Sequence, residues 1–135
     1  MMLKDTLLAS GHSLVASNGS CSDESGIRPV ILPMNEDLRF FEGLSVADKI
    51  VGKASAMLLA LSGAKEVYAH ILSEAGRKIL ERYGIAYEYG EMVEYIVNRK
   101  GDGMCPMEET VKDIDDPLDA FKALNERIAQ MRKGM

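Results

Sequence analysis

The sequence predicts an α/β protein in which helices cover both faces of a mixed β-sheet. Segments of strand composition alternate with segments of helical periodicity, as in strand 65–72, helix 74–83 and strand 85–93. A last helix carries apolar residues at helical spacing from Leu118 to Ile128. Because strand–helix–strand units build sheets whose faces are covered by helices, we expect a three-layer sandwich.

Composition and charge limit the classes of protein that the chain can represent. Its 135 residues suit a single domain spanning 1–135, and its hydrophobic and charged fractions of 47% and 27% are those of a globular protein. A net charge of -5 disfavours nucleic acids and anionic membranes as partners. The start of the chain lacks a signal-peptide pattern, and Cys21 and Cys105 stand far apart. We therefore expect a cytoplasmic protein with reduced thiols.

The N-terminal third predicts a short helix followed by a hairpin. Residues 3–9 have helical spacing, and residues 12–16 and 20–25 form two strand-like segments joined by a Ser-Asn-Gly turn. Prolines interrupt the next segment, so any helix there is expected to begin after Pro33, with Asn35 as its cap.

The central segment carries the strongest helix signal of the chain. Ser45 and Asp48 have the spacing of a capping box, and Gly63 supplies a stop, which predicts a helix between them. From Ile50 to Ser62 the only formal charge is Lys53. Such a helix is expected to be buried on most sides.

The last third predicts further strands and two helices. After strand 85–93, Tyr95 to Val97 has strand composition, and a glycine-rich turn over 98–106 leads into a helix over 107–114. Asp116 then caps a final helix that begins at Pro117.

Three segments carry a resemblance to a known family: Val46–Ala54, Asn98–Glu108 and Asp113–Pro117. They resemble a small prokaryotic family of unknown function that is classed with the cytidine-deaminase-like fold and lacks the zinc ligands of deaminases. The resemblance covers most of the chain and is most specific from Ser45 to Pro117. It implies a cytidine-deaminase-like fold and a site location, and it implies no substrate.

The zinc-binding motifs of the deaminases are absent. Those enzymes carry H-x-E and P-C-x-x-C at the starts of two helices. By position, these motifs would fall near 52–54 and 73–76, and neither segment contains His or Cys. The sequence therefore argues against zinc-dependent deamination and predicts no metal or cofactor.

Lys53 is the first candidate site residue, because an ammonium group inside an apolar helix must be paired or reach water. One hypothesis places Lys53 in the pocket that holds zinc in a deaminase, where it binds an anion or acts as a nucleophile or base. The alternative is that Lys53 extends its ammonium to solvent or pairs with a carboxylate such as Asp48 or Glu74.

The second candidate is the segment Asn98-Arg99-Lys100-Gly101-Asp102-Gly103. Its backbone amides and the arginine fork could hold a phosphate or carboxylate, whereas the alternative is a solvated turn. Cys105 follows near a helix start, where the dipole favours a thiolate nucleophile. The alternative for Cys105 is a buried structural cysteine.

The leading functional hypothesis is a zinc-less deaminase-like domain that binds a small anionic metabolite or a nucleotide-derived ligand such as ADP-ribose. Lys53 and Arg99 would supply charge, while Asp48, Asn98 and the segment Gly101-Asp102-Gly103 would orient the ligand. One alternative is a metal-independent enzyme that uses Lys53 with Asp48 or Cys105 for transfer or hydrolysis. Another is a non-catalytic structural or regulatory subunit, and a homo-oligomer remains an open alternative.

Overall fold

The computed structural model describes residues 2–98 and 100–133. Helices and strands alternate along these residues, in agreement with the predicted α/β class. In chain order the elements are α1 (Met2–Ser10), β1 (Leu14–Ala16), β2 (Cys21–Ser22), α2 (Arg28–Glu36), β3 (Ser45–Val51), α3 (Lys53–Ser62), β4 (Glu66–Ser73), α4 (Glu74–Arg82), β5 (Ala86–Val93), α5 (Pro106–Val111) and α6 (Pro117–Lys133).

The strands form one five-stranded mixed sheet in the order β2-β1-β3-β4-β5. Strand β1 pairs antiparallel with β2 and with β3, so the predicted opening hairpin is confirmed. Strands β3, β4 and β5 are parallel, and α3 and α4 connect them. The carboxyl ends of these three strands therefore lie at the same end of the sheet, where α3 and α4 begin.

Helices lie on both faces of the sheet, as the sequence predicts. Leu7 of α1 packs with Val15, Ala47 and Tyr68 on one face. The strand residues that alternate with these, such as Val46, point to the other face and join the larger core beneath the remaining helices. Helix α3 crosses the middle of that core and contacts α2, α4, α5 and α6.

The predicted capping box at Ser45 is wrong, because residues 45–51 form strand β3 and the helix begins only at Lys53. The segment pairs with β1 on one side and β4 on the other, and its β-branched residues suit a strand buried between two neighbours. The predicted helix end is confirmed: Gly63 adopts a left-handed conformation with φ of 88°.

The helix expected after Pro33 is also wrong. Helix α2 runs from Arg28 to Glu36, with Pro29 in its first turn and Pro33 inside it. Pro29 is tolerated because the first N–H groups of a helix have no intrahelical partner. The buried side chains of α2, which include Ile31 and Met34, stabilise the helix despite the second proline.

Two further boundaries differ from expectation. Tyr95 to Val97 is not a strand, and only Val97 forms an isolated bridge, to Met104. The helix predicted over 107–114 is shorter and spans Pro106–Val111. The predicted capping of the last helix is confirmed, since the Leu118 N–H donates to Asp116 Oδ1 at 2.9 Å.

Candidate functional site

The starts of α3 and α4 lie side by side at the carboxyl ends of the parallel strands. Ser73 ends β4 and caps α4, its Oγ accepting a hydrogen bond from the Gly76 N–H at 3.0 Å. A side chain at Gly76 would place its Cβ 3.0 Å from the carbonyl carbon and oxygen of Gly52, so the two backbones are in close contact. The segments 52–54 and 73–76, which contain no His or Cys, are therefore neighbours in space.

The N-terminus of α3 is capped by the carboxylate of Glu108, which comes from α5. The N–H groups of Lys53 and Ala54 donate to Glu108 Oε1 and Oε2 at 2.7 and 2.8 Å. A Cβ at Gly52 would overlap Oε1 and lie 2.8 Å from Ile96 Cγ1. Glycine at position 52 thus makes room for a carboxylate where a helix start attracts anions.

Burial raises the pKa of Glu108, a residue that is only 8% exposed. The two backbone hydrogen bonds and the nearby Lys53 oppose this rise, because they stabilise the ionised form. The N–H groups at the start of α3 that could bind an external anion are therefore occupied by the chain's own carboxylate.

The ammonium group of Lys53 contacts a carbonyl oxygen rather than Asp48 or Glu74. Its Nζ donates to the Lys112 carbonyl at 3.0 Å, where α5 ends. A cation at a helix C-terminus interacts favourably with the helix dipole. Helices α3 and α5 thus stabilise each other reciprocally, with Glu108 at the start of α3 and Lys53 at the end of α5.

Asp48 is a buried carboxyl group in β3, 2% exposed. Its Oδ1 accepts a hydrogen bond from the Ile50 N–H at 3.3 Å, and its Oδ2 has no hydrogen-bond partner among the residues that the structure describes. Burial raises the pKa of Asp48 to about 7, against the opposing hydrogen bonds from the N–H groups of Ile50 and Lys49. A carboxyl group with this pKa can accept or donate a proton near neutral pH.

The glycine-rich segment forms a closed turn in which its polar side chains bond to each other. Asn98 Nδ2 donates to Asp102 Oδ1 at 2.8 Å, and the Asp102 N–H donates back to Asn98 Oδ1 at 3.3 Å. Gly101 has a left-handed φ of 74°, and the Asn98 N–H donates to the Gly103 carbonyl at 2.8 Å. Arg99 lies outside the described residues.

Cys105 is half-buried and precedes α5. Its backbone N–H donates to the Ile96 carbonyl at 2.9 Å, which ties the turn to the segment after β5.

The ligand contacts that the sequence suggests for Lys53, Asp48, Asn98, Arg99 and the segment 101–103 stay predictions, as does a catalytic role of Cys105.

A cavity that the sequence did not indicate lies between the β1–β2 hairpin and α2. This hairpin cavity has a volume of about 320 Å³. Its apolar lining is formed by Leu14, Pro29, Leu32, Pro33, Phe40 and Phe41. Its polar lining is formed by Ser20, Cys21, Ser22, Glu24 and Arg28.

Arg28 supplies the cation of the hairpin cavity. It occupies the first position of α2 and is half-buried, and its backbone N–H donates to the Ser25 carbonyl at 3.4 Å. Its side chain makes no hydrogen bond or ion pair with any residue that the structure describes. The only sequence signal for this position is the Arg28-Pro29 pair, since Pro favours the first turn of a helix. Asp48 lies nearby in the sheet, as the register partner of Leu14 in the cavity lining.

Residues 2–98 and 100–133 contain neither a metal-binding cluster nor a helix that could cross a membrane. No group of three or more His, Cys, Asp or Glu side chains is arranged to hold a metal ion. No helix in the same ranges combines the length and the apolar character that crossing a membrane requires.

The fold and the candidate sites define a small α/β domain with a five-stranded mixed sheet, a buried carboxyl group and a cavity lined by one arginine. The chain belongs to the family described as a domain of unknown function, DUF1893, which it matches over residues 2–128. It is similar to the crystal structure of a DUF1893 family protein, TM1506 from Thermotoga maritima, at 2.70 Å resolution. The two chains are 27% identical with a TM-score of 0.83, and the match covers 93% of this chain and 87% of that one. No curated protein matches this chain.

Proposed function

We propose that this protein binds a small anionic metabolite in the hairpin cavity, with Arg28 as the residue that pairs with the anion. The observation that carries the proposal is that Arg28 is a half-buried residue lining a cavity of largely apolar surface, and that its side chain has no partner among the described residues. A partly desolvated guanidinium is costly without a counter-charge, and its planar fork matches a carboxylate or phosphate.

The size and charge of the hairpin cavity favour a compact ligand with one anionic group. Its volume of about 320 Å³ is at the small end of the range for ligand pockets, roughly 300–1,000 Å³. Glu24 also lines the cavity, and its negative charge disfavours a highly charged anion. A sugar phosphate, a nucleoside monophosphate or a carboxylate with an apolar body fits these limits better than a ligand of the size of ADP-ribose.

The proposal also keeps the cytidine-deaminase-like architecture without its zinc chemistry. Support comes from the mixed sheet and from the adjacent starts of α3 and α4, which contain no His or Cys. Glu108 occupies the start of α3, where its carboxylate caps the helix. In this architecture the ligand would lie at the hairpin cavity, beside the start of α2.

Ligand binding is tested by replacing Arg28 with methionine, which removes the charge and keeps an unbranched side chain. The probes are inorganic phosphate, ribose 5-phosphate, adenosine monophosphate and butyrate, measured by thermal shift and calorimetry. We expect at least one probe to raise the Tm of the wild type. Arg28→Met should weaken its affinity by about 10-fold to 100-fold, the value of a charge-assisted hydrogen bond.

Arg127→Met is the matched control, because Arg127 is exposed on α6 and does not line the hairpin cavity. It should leave the affinity unchanged. The proposal would be overturned if no probe binds to the wild type, or if both variants bind equally well.

Asp48 supports a second candidate function, a metal-independent transfer or hydrolysis reaction. A buried carboxyl group with a pKa of about 7 suits a general acid or base, and Lys53 and Cys105 remain the candidate nucleophiles. If the protein is such an enzyme, mass spectrometry should show a bound probe being converted to a product over time. Asp48→Asn should abolish this conversion while the probe still binds. A probe that binds and stays intact rules out this candidate for that compound.

A further inference from the structure

Strand β5 forms a long exposed edge of the sheet. Among the described residues it pairs only with β4, in a constant register from Glu66–Ala86 to Ser73–Val93. Proteins usually protect such edges with charged side chains, above all lysine, with proline or with a bulge, because unpaired backbone groups attract another strand. Residues 86–93 contain no lysine, no proline and no extra residue in the register, and their only charged residues are Glu88 and Glu91.

The other edge of the sheet differs in length. Strand β2 contains only two residues, Cys21 and Ser22, whereas β5 contains eight. The sheet therefore offers one edge that can pair over several residues. A contact that uses β5 of two copies would close upon itself and leave no second long edge for further growth.

The side chains of β5 also have the composition of an interface. Tyr89 is 47% exposed and stacks on Tyr87, with ring centroids 6.4 Å apart and planes inclined by 22°. Tyrosine is enriched at protein interfaces because it offers a large rigid surface with one polar group. Glu88 and Glu91 are exposed on the same strand.

We propose that β5 pairs antiparallel with β5 of a second copy, about a two-fold axis at Tyr89, so that the two sheets become one. Directly opposed residues of antiparallel strands point to the same face of the sheet. A symmetric pair must therefore join residues of the same face. Tyr89 then faces the Tyr89 of the second copy across the axis.

The charges of β5 select this register. With the axis at Tyr89, Tyr87 lies opposite Glu91 and Glu88 lies opposite Gly90, so no two carboxylates are directly opposed. An axis at Glu88 or at Glu91 would oppose two like charges, which destabilises a sheet. An axis at Gly90 would separate the two Tyr89 rings and lose their contact.

The first test measures the association of the full chain by analytical ultracentrifugation over a range of protein concentrations. We expect a reversible dimer that strengthens with salt, because each chain carries a net charge of -5 and glutamates flank the axis. Tyr89→Glu should weaken the dimer by at least about 10-fold, since it opposes two carboxylates at the axis. Tyr83→Glu is the control, as Tyr83 is 43% exposed but follows α4, outside β5.

The second test measures the register. In a Cys21→Ser background, Tyr89→Cys should yield a covalent dimer with a short thiol cross-linker, while Tyr83→Cys should not. Cys105 is present in both variants and supplies the same background. A chain that is monomeric at all concentrations overturns the proposal. So does a dimer that Tyr89→Glu leaves intact, or a cross-link that forms equally well at position 83.

Discussion

Replacing Gly52 with alanine is expected to lower the free energy of unfolding by roughly 3–5 kcal/mol, the sum of overpacking and the loss of buried hydrogen bonds. The added Cβ would overlap Oε1 of Glu108 and lie 2.5 Å from its Cδ. The carboxylate would have to withdraw, and the N–H groups of Lys53 and Ala54 would lose their acceptor. Urea denaturation followed by circular dichroism measures the change.

Gly103→Ala is the matched control for this substitution. The nearest atom to a Cβ at Gly103 is Asn98 Nδ2 at 3.7 Å, an ordinary contact, and Gly103 has no left-handed φ. We expect a change below about 1 kcal/mol there, because this half-buried site has room for a methyl group and needs no left-handed backbone. Equal costs for Gly52→Ala and Gly103→Ala would show that Glu108 does not need the space at Gly52.

A double-mutant cycle separates the steric effect from the electrostatic one. Glu108→Ala removes the carboxylate that the new Cβ would strike and also uncaps α3. We therefore expect the Gly52→Ala and Glu108→Ala costs to be less than additive in the double variant. Strict additivity would mean that the two positions do not interact.

Asp48→Asn is expected to remove most of the pH dependence of stability between about pH 4 and pH 7. The pKa of Asp48 is about 7 in the folded protein against an ordinary value of 3.8 for an aspartate, so the folded state binds more protons in this window. The contribution of Asp48 to stability should be largest below pH 4 and fall by up to roughly 4 kcal/mol as the pH rises through 7. The asparagine variant, which is neutral throughout, should be the more stable protein above pH 7.

Urea denaturation at several pH values between 4 and 9 measures this slope. Asp115→Asn is the control, because Asp115 is exposed on the loop before α6 and should leave the slope as it is in the wild type. Glu108 contributes a slope of the same sign, since burial raises its pKa too, so a smaller slope should remain in Asp48→Asn. A slope that Asp48→Asn does not reduce would contradict a raised pKa at this position.

Local signals were sufficient where one segment determines its own conformation. The hairpin, the helix end at Gly63 and the start of α4 at Ser73 all depend on turn or capping residues whose partners lie within a few positions. Such interactions are visible in sequence because their geometry is local. The capping-box pattern at Ser45 misled for the opposite reason: two distant strands pair with that segment and override it.

The candidate sites likewise divide into features with a local sequence signal and features that depend on distant residues. The sequence singled out Lys53 as a cation that needs a partner, and the structure places its ammonium on the Lys112 carbonyl, 59 residues away. Glu108 lies 55 residues from Lys53, and no local pattern connects them. Arg28 was missed because the prolines around it concealed the start of α2, and its cavity exists only where hairpin and helix meet.

The sequence by itself determined the α/β class, the mixed sheet, the buried helix α3 and the lack of the deaminase zinc motifs, because these follow from composition, periodicity and the identity of single residues. Only the tertiary structure decided that Glu108 occupies the start of α3, that the carboxyl group of Asp48 is buried with one oxygen unpaired, and that Arg28 lines a cavity. The reason is physical: burial, pKa and hydrogen-bond partners depend on residues that are distant in the chain, and these meet only when the sheet and its helices pack together.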